Sequence, residues 1–584
     1  MLVEIWKRVS LSHHRSLARC FRLRQRDRSG RSLADPDGDG SPPADERDPS
    51  DGADRTGRVI PEDAAASRRP RRRELLWLAT PLLFVIAPMM TFYAANVDEL
   101  RPIDLLPYAA LAMLGVTVLT ALVAALVRKV PTAALWASML TVAFFYYGHA
   151  ADLVIGLHLR AGSVTVHEDW VLAPVLVLVV VVLVFASRRQ RYVESAVRAI
   201  ALLGVGFTAG ALISVVLAQA GVSQATVKAF PAVDTGWPAA RRATGATLPD
   251  IYYLVLDAHT SNGSLSEFAG YDNAGFTNAL AQKGFYVARD SKSNYSNTFL
   301  CLASVLNMDY VNDRAKSIAG DNEEPMYDLI SDNRVKRILK ENGYSYVLVA
   351  SGWGPTDRAP DADYFHPSPQ SDLGLALLQT TVCRVHLVNG SLVSLWDWWS
   401  ADSKRSTIRG EFAYLESCGR IKGPKFVFAH IVAPHPPFVF RANGEAVLGP
   451  VIWNWDNPAA SIPAYVAQLQ AIDAMTLHFV GTTLRERQRP TIIVIQGDHG
   501  TMFATPGDPN PLTTLYRRRH SILNAMYYSE GPLEQLYPSV SPVNTFRVVL
   551  NKAIGARYPL LEDQSYFSYA DHPYRFTNVT GLVK

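Results

Sequence analysis

The chain has 584 residues, 48% of them hydrophobic, with 57 basic against 53 acidic side chains and a formal net charge of +4. That length exceeds one ordinary domain, so several are expected, and four cysteines are too few for a scaffold stapled by disulfides. The average hides a contrast between long uncharged segments at 75–220 and an ordinary mixed composition from about 248 onward.

Residues 1–74 are rich in Arg, Asp, Gly, Ser and Pro, and nothing between Asp27 and Arg73 has an apolar period able to offset ordering entropy, so a disordered basic tail is expected. The first apolar run comes too late, and is followed by too many others, for a cleaved signal peptide. The cluster Arg68, Arg69, Arg71, Arg72 and Arg73 abuts that run, which favours a topogenic flank over a nucleic-acid contact.

Five apolar segments follow, at 75–95, 105–127, 133–155, 170–186 and 199–220. Each is at or near the roughly 20 helical residues that cross a hydrocarbon core, and in lipid a helix satisfies its backbone internally even where Val dominates. If the five alternate, the Arg68–Arg73 cluster, Arg128 with Lys129, and Arg188, Arg189, Arg191 and Arg198 share one side. The tail is then cytoplasmic, and an odd number of crossings delivers the rest of the chain outside the membrane.

Residues 221–247 carry Pro231, Gly236, Trp237 and Pro238 and read as a linker or interfacial segment. From 248 to 584 short apolar runs at 251–256, 344–350, 426–432 and 491–495 alternate with helix-like stretches at 326–341, 461–485 and 543–554. Such alternation predicts an α/β domain with a largely parallel sheet flanked by helices, whose ligands sit beyond the carboxyl ends of the strands.

Chemistry gathers at those ends. Asp257 follows the first run, and Asp498 and His499 stand between Gly497 and Gly500 just after the last, which places hard oxygen and imidazole donors where a cation could be held. Thr298 lies where the polar run 294–297 gives way to an apolar helical period. A hydroxyl there meets the amide donors of a helix start, although capping by Thr298, Ser296 or Asn297 is the plainer account of the local sequence. His435, in Ala433-Pro434-His435-Pro436-Pro437, suits a substrate phosphoryl oxygen or proton transfer; His430, inside an apolar strand, is a second substrate candidate or a satisfied core residue.

With these residues assembled, the chain resembles the membrane-anchored transferases of the alkaline phosphatase and sulfatase superfamily, of the lipoteichoic acid synthase and phosphoethanolamine transferase type. The resemblance implies five membrane helices before an extracytoplasmic sulfatase-like domain. It also implies one divalent ion, Mn or Zn, on Asp257, Thr298, Asp498 and His499, with Thr298 as nucleophile and His435 and His430 toward the substrate phosphate. The implied activity moves a phospholipid-derived phospho-head group to an envelope glycan or lipid through a phosphothreonine, with no nucleic-acid partner. A membrane-bound sulfatase-like hydrolase and a catalytically silent envelope-assembly protein are the competing readings. The segments 519–525 and 542–547 look like the tail of sulfatase-like domains. Three departures stand out: Asp257 replaces the Glu of lipoteichoic acid synthases, the surroundings of Thr298 match neither group closely, and Cys301 lacks the Pro and Arg of a formylglycine site. Asp473 and His478, the nearest pair for a second metal, fall at i and i+5 of a helix-like stretch and point apart. Cys383 and Cys418 either pair in an oxidising compartment or remain thiols.

Overall fold

The structure, a computed structural model, describes residues 76–97, 100–156, 160–161, 164–165, 172–224, 247–318, 320–357, 359, 361–369, 371–384, 395–451, 457–503 and 509–583. The tail at 1–74 and most of the linker at 221–247 lie outside them.

All five apolar runs are helical, as α1 (Thr80–Ala95), α2 (Pro102–Val127), α3 (Val130–Phe145), α4 (Tyr147–Gly156), α5 (Leu172–Arg188) and α6 (Val193–Gln224). Among the described residues, three helices are long and apolar enough to cross a membrane: Leu76–Ala95, Pro102–Val127 and Gln190–Ala220. The expected third span is instead the pair α3 and α4, bent by 51°, and the apolar part of α5, Leu172–Phe185, is shorter. The bend falls at Tyr146, beside the point where the Gly148 N–H donates to the carbonyl of Thr380 at 3.0 Å. A Cβ on Gly148 would lie 2.5 Å from that oxygen, so only glycine admits the approach. Leu111, Leu114, Leu122 and Leu126 of α2 and Leu202, Leu203 and Leu217 of α6 point outward and exposed, a surface suited to lipid.

The second body is built on a seven-stranded sheet. Its strands are β1 (Asp250–Leu256), β2 (Tyr286–Val287), β3 (Ser345–Val349), β4 (Tyr364–His366), β5 (Lys425–Ile431), β6 (Thr491–Gly497) and β7 (Asn524–Tyr528), in the order β2-β7-β6-β1-β5-β3-β4. The five strands from β6 to β4 run parallel; at one edge β7 pairs antiparallel with β6, and β2 antiparallel with β7. The helices that matter below are α7 (Thr298–Asn307), α8 (Glu324–Ser331), α9 (Asp372–Gln379), α10 (Leu395–Ser417), α11 (Ile462–Glu486), α12 (Pro511–His520) and α13 (Thr545–Ala553).

Strand alternation explains why both faces are covered. Ile251, Tyr253 and Val255 join the core made by α7, α8 and α13, whereas Tyr252, Leu254 and Leu256 join the core made by α10 and α11. Aromatic contacts fix the layers: Phe546 meets Tyr253 edge-on at 5.1 Å, and Phe479 meets Tyr252 at 5.8 Å on the other side. The stretch read as one helix over 326–341 is two, separated where Asn333 caps the second by accepting the Lys336 N–H at 2.8 Å.

The two bodies touch directly. Arg101, before α2, pairs with Glu324 at 2.7 Å and with Asp328, both on α8. The Tyr108 hydroxyl donates to Ser371 at 2.5 Å, and Phe92, Tyr93 and Leu105 pack on Ala376 and Leu377 of α9. Cys301, Cys383 and Cys418 are free thiols, which answers the pairing question in favour of no bridge.

At the amino end of the sheet, buried Lys425 donates to buried Asp250 at 2.6 Å. Lys425→Met leaves that carboxylate without its main partner and should lower stability by about 3–5 kcal/mol, whereas the double change with Asp250→Leu should recover most of the loss. Thermal unfolding of the three variants checks this; equal losses in single and double variants would count against it.

Candidate metal centre

Register places the acidic pair. In the parallel ladder Leu256 lies opposite Gly497, so the next residues, Asp257 and Asp498, leave the sheet side by side. Leu256 also lies opposite Ile431 of β5, which brings His430 to the same edge. Asp257, His430 and Asp498 are buried and offer ligand atoms within 4.8 Å of one another. Ala258 takes a left-handed φ of 63° and thereby aims its N–H at Asp498 Oδ1, 3.0 Å away. The flanking glycines serve close approach and not positive φ: a Cβ on Gly497 would lie 2.3 Å from the carbonyl of His259, and one on Gly500 2.0 Å from that of Arg518.

His499 completes the group. Its Nδ1 lies 2.9 Å from the Gly500 carbonyl, which can only accept, so Nδ1 carries a proton. Burial, then the positive charge of Arg519, hold this imidazole well below its usual pKa, so the neutral ring turns a bare Nε2 inward. That nitrogen stands 3.4 Å from Asp498 Oδ2, 3.7 Å from Asp257 Oδ1 and 3.1 Å from Thr298 Oγ1. A lone pair facing two carboxylate oxygens is repulsive as it stands. Asp257 Oδ1, Asp498 Oδ2 and His430 Nε2 are also buried without a hydrogen-bond partner.

The spacing fits a cation. Tetrahedral donors at about 2.0–2.2 Å from zinc lie about 3.3–3.6 Å from each other; the 3.4 Å His499–Asp498 separation falls in that range and the 3.7 Å His499–Asp257 separation lies just beyond it. Oxygen and imidazole donors suit zinc or manganese alike. Without such an ion the carboxylates oppose each other: burial and the charge of Asp257 push Asp498 up to about 7. For Asp257 burial acts upward too, but the group is held low, with His435 the largest opposing influence and the His430 contact next.

Thr298 opens α7, and its half-buried hydroxyl reaches the group through His499. Asn297 occupies the cap position but sends its amide to Ser568 Oγ at 3.1 Å, so no side chain caps the first turn. The Leu300 N–H donates to the Asn297 carbonyl at 3.1 Å, which leaves the N–H groups of Thr298 and Phe299 as the first-turn donors without a side-chain cap. His435 is half-buried at the rim; its Nδ1 donates to the Pro436 carbonyl at 2.7 Å, and its N–H donates to the Asp257 carbonyl at 3.1 Å.

The sequence leaves His430 either a second substrate candidate or a satisfied core residue. Here it is fully buried, with Nε2 3.5 Å from Asp257 Oδ2 and Nδ1 3.3 Å from Thr356 Oγ1, under the edge of Trp353. Trp353 and Thr356 carried no sequence signal for this place. Cys301 is buried and its thiol donates to the Tyr295 carbonyl, a packing role as expected. Asp473 binds His259 at 2.7 Å and Asn273 at 2.7 Å, whereas His478 is exposed beside Glu416; they share no site.

No protein-family model matches the chain, and no curated protein does. Among solved structures it is similar to the C-terminal periplasmic domain of EcEptC from Escherichia coli, at 12% identity over 58% of this chain and 94% of that one, with a TM-score of 0.39. It is similar also to the C-terminal periplasmic domain of the phosphoethanolamine transferase EptC from Campylobacter jejuni, at 11% identity over 52% of this chain and 89% of that one, TM-score 0.36. A third is the phosphonate monoester hydrolase of Agrobacterium radiobacter, at 12% identity over 55% and 80%, TM-score 0.34. With likeness this distant, the chemistry of the chain rests on its own side chains.

Protein purified without chelator should carry about one divalent ion per chain. Asp498→Asn and His499→Ala should each lose most of it while remaining folded. Elemental analysis by mass spectrometry decides; equal metal in wild type and both variants would remove the centre.

Proposed function

We propose that the chain is a membrane-anchored, sulfatase-like phosphotransferase that takes a phospho-head group from a membrane phospholipid, through a phosphothreonine at Thr298, and passes it to an envelope glycan or lipid. The observation that carries the reading is the inward lone pair of His499, set against two buried carboxylates and a threonine hydroxyl. We assign Asp257, Thr298, Asp498 and His499 as holders of a divalent ion, with His430 buttressing Asp257. When bound, such an ion withdraws charge from phosphoryl oxygens and eases ionisation of the hydroxyl.

The chain's own groups divide the work. Thr298 Oγ1 forms a bond to phosphorus as the bond from phosphorus to the glycerol oxygen breaks, and the threonine proton ends on the departing diacylglycerol. The uncapped first turn of α7 offers N–H groups to the phosphoryl oxygens. In the second half an acceptor hydroxyl oxygen bonds to phosphorus as the bond from phosphorus to Thr298 Oγ1 breaks, and the acceptor's proton ends on Thr298 Oγ1 by way of His435. His435, with Nδ1–H committed to Pro436 and burial lowering its pKa to about 4, presents Nε2 as the acceptor of that hydroxyl's proton. The membrane helices keep the cleft near lipid head groups, and the basic loop residues favour a cytoplasmic tail with the α/β body outside after five crossings, the bent pair α3 and α4 counting as one.

Incubation with labelled phosphatidylethanolamine or phosphatidylglycerol should add the head-group phosphate to the chain, and phosphopeptide mapping should find it on Thr298. Thr298→Ala should give no adduct. His435→Ala should slow turnover by about 10²–10⁴-fold and let the adduct accumulate. Turnover of soluble esters with no lipid requirement would favour the hydrolase, and metal-independent inactivity the silent assembly protein.

A further inference from the structure

We infer that Lys404 is a positioning residue that locks His435 into the cleft through its main chain, an inference that rests on the role of His435 proposed above. Lys404 lies on α10, is 3% exposed, and donates from Nζ to the carbonyl oxygen of His435 at 2.7 Å. A lysine this buried cannot greet a substrate; it can only act on what it touches.

The loop explains the need. Pro434, Pro436 and Pro437 have no N–H, so the segment around His435 cannot hold itself with a backbone ladder. What remains are carbonyls and the His435 N–H, which is spent on the Asp257 carbonyl at 3.1 Å. Side chains from two helices take the carbonyls. Gln468 of α11, fully buried, donates to the His435 oxygen at 3.1 Å and to that of Pro434 at 3.3 Å, while its own oxygen accepts the Val439 N–H at 2.7 Å. Lys404 approaches the same His435 oxygen from α10 with a charged and shorter bond.

The peptide of His435 is thus gripped at both ends, by a proposed metal-holding residue on one side and a buried cation on the other. Its ring is oriented by the Pro436 carbonyl. Loss of the Lys404 bond would free the peptide to rotate about its remaining contacts, which displaces Nε2 without touching any other reacting group. Burial lowers the pKa of the ammonium to about 8, opposed only in part by the acidic neighbours Asp372, Asp257 and Glu411.

The test uses the full-length chain in vesicles of phosphatidylethanolamine and phosphatidylglycerol. Lys404→Met should lower kcat by at least about tenfold, as expected for a lost charged hydrogen bond, with KM for lipid and metal content little changed. In the His435→Ala background the same change should add nothing to the residual defect, and Lys404→Gln, which keeps a donor, should recover part of kcat. Should Lys404→Met fail to fold, Lys404→Gln takes its place in the cycle, with a smaller loss that likewise vanishes without the histidine. Independent, multiplying effects of Lys404 and His435 variants would overturn the inference, as would a folded Lys404→Met with wild-type kcat. A defective His435→Ala beside an unaffected Lys404→Met sinks this inference alone; wild-type turnover in His435→Ala sinks both it and the role of His435.

Discussion

Two carboxylates that leave neighbouring parallel strands in the same register are forced to face each other, and the molecule around them makes that confrontation tolerable. Asp257 and Asp498 are both buried, and the imidazole nitrogen that faces both, His499 Nε2, is held in the tautomer that offers them a lone pair and no proton. Among the described residues, no lysine or arginine forms an ion pair with either. Removing one charge would leave the other in a dry environment, and a cation between them would balance both.

That constraint reaches outward into the fold. The strand ends meet because Gly497 admits the carbonyl of His259 and Gly500 that of Arg518, contacts any side chain would block. Ala258 accepts a left-handed backbone to give Asp498 an amide. Around this sit two helices with separate tasks: α7 brings a hydroxyl and an uncapped turn, while α10 reaches past the sheet face to fasten the proline-bounded loop. Each device depends on a backbone feature as much as on the side chain it serves.

Much of this was legible from residues alone. A charged residue after an apolar run marks a strand end, which is why Asp257, Asp498 and His499 could be picked out, and the switch from polar to apolar period disclosed the start of α7 at Thr298. His430 was harder, because Phe428-Ala429-His430-Ile431 reads as core and its partner carboxylate lies on another strand. Lys404 sits in a helix whose pattern says nothing about a carbonyl on a distant loop. The break between α3 and α4 was invisible for the same reason: the group that receives the Gly148 N–H is Thr380, far along the chain. Local periodicity reports which face is buried; it does not report what waits on the other side.

The seam where Phe92, Tyr93 and Leu105 press on Ala376 and Leu377 has a practical corollary. A recombinant fragment begun after α6 would retain its sheet and its reactive cleft, but it would carry an uncovered greasy strip along α9 and leave Glu324 and Asp328 without their arginine. Such a piece would self-associate or seek detergent for reasons unrelated to its chemistry, and its behaviour in a test tube would understate how firmly the intact polypeptide holds its shape.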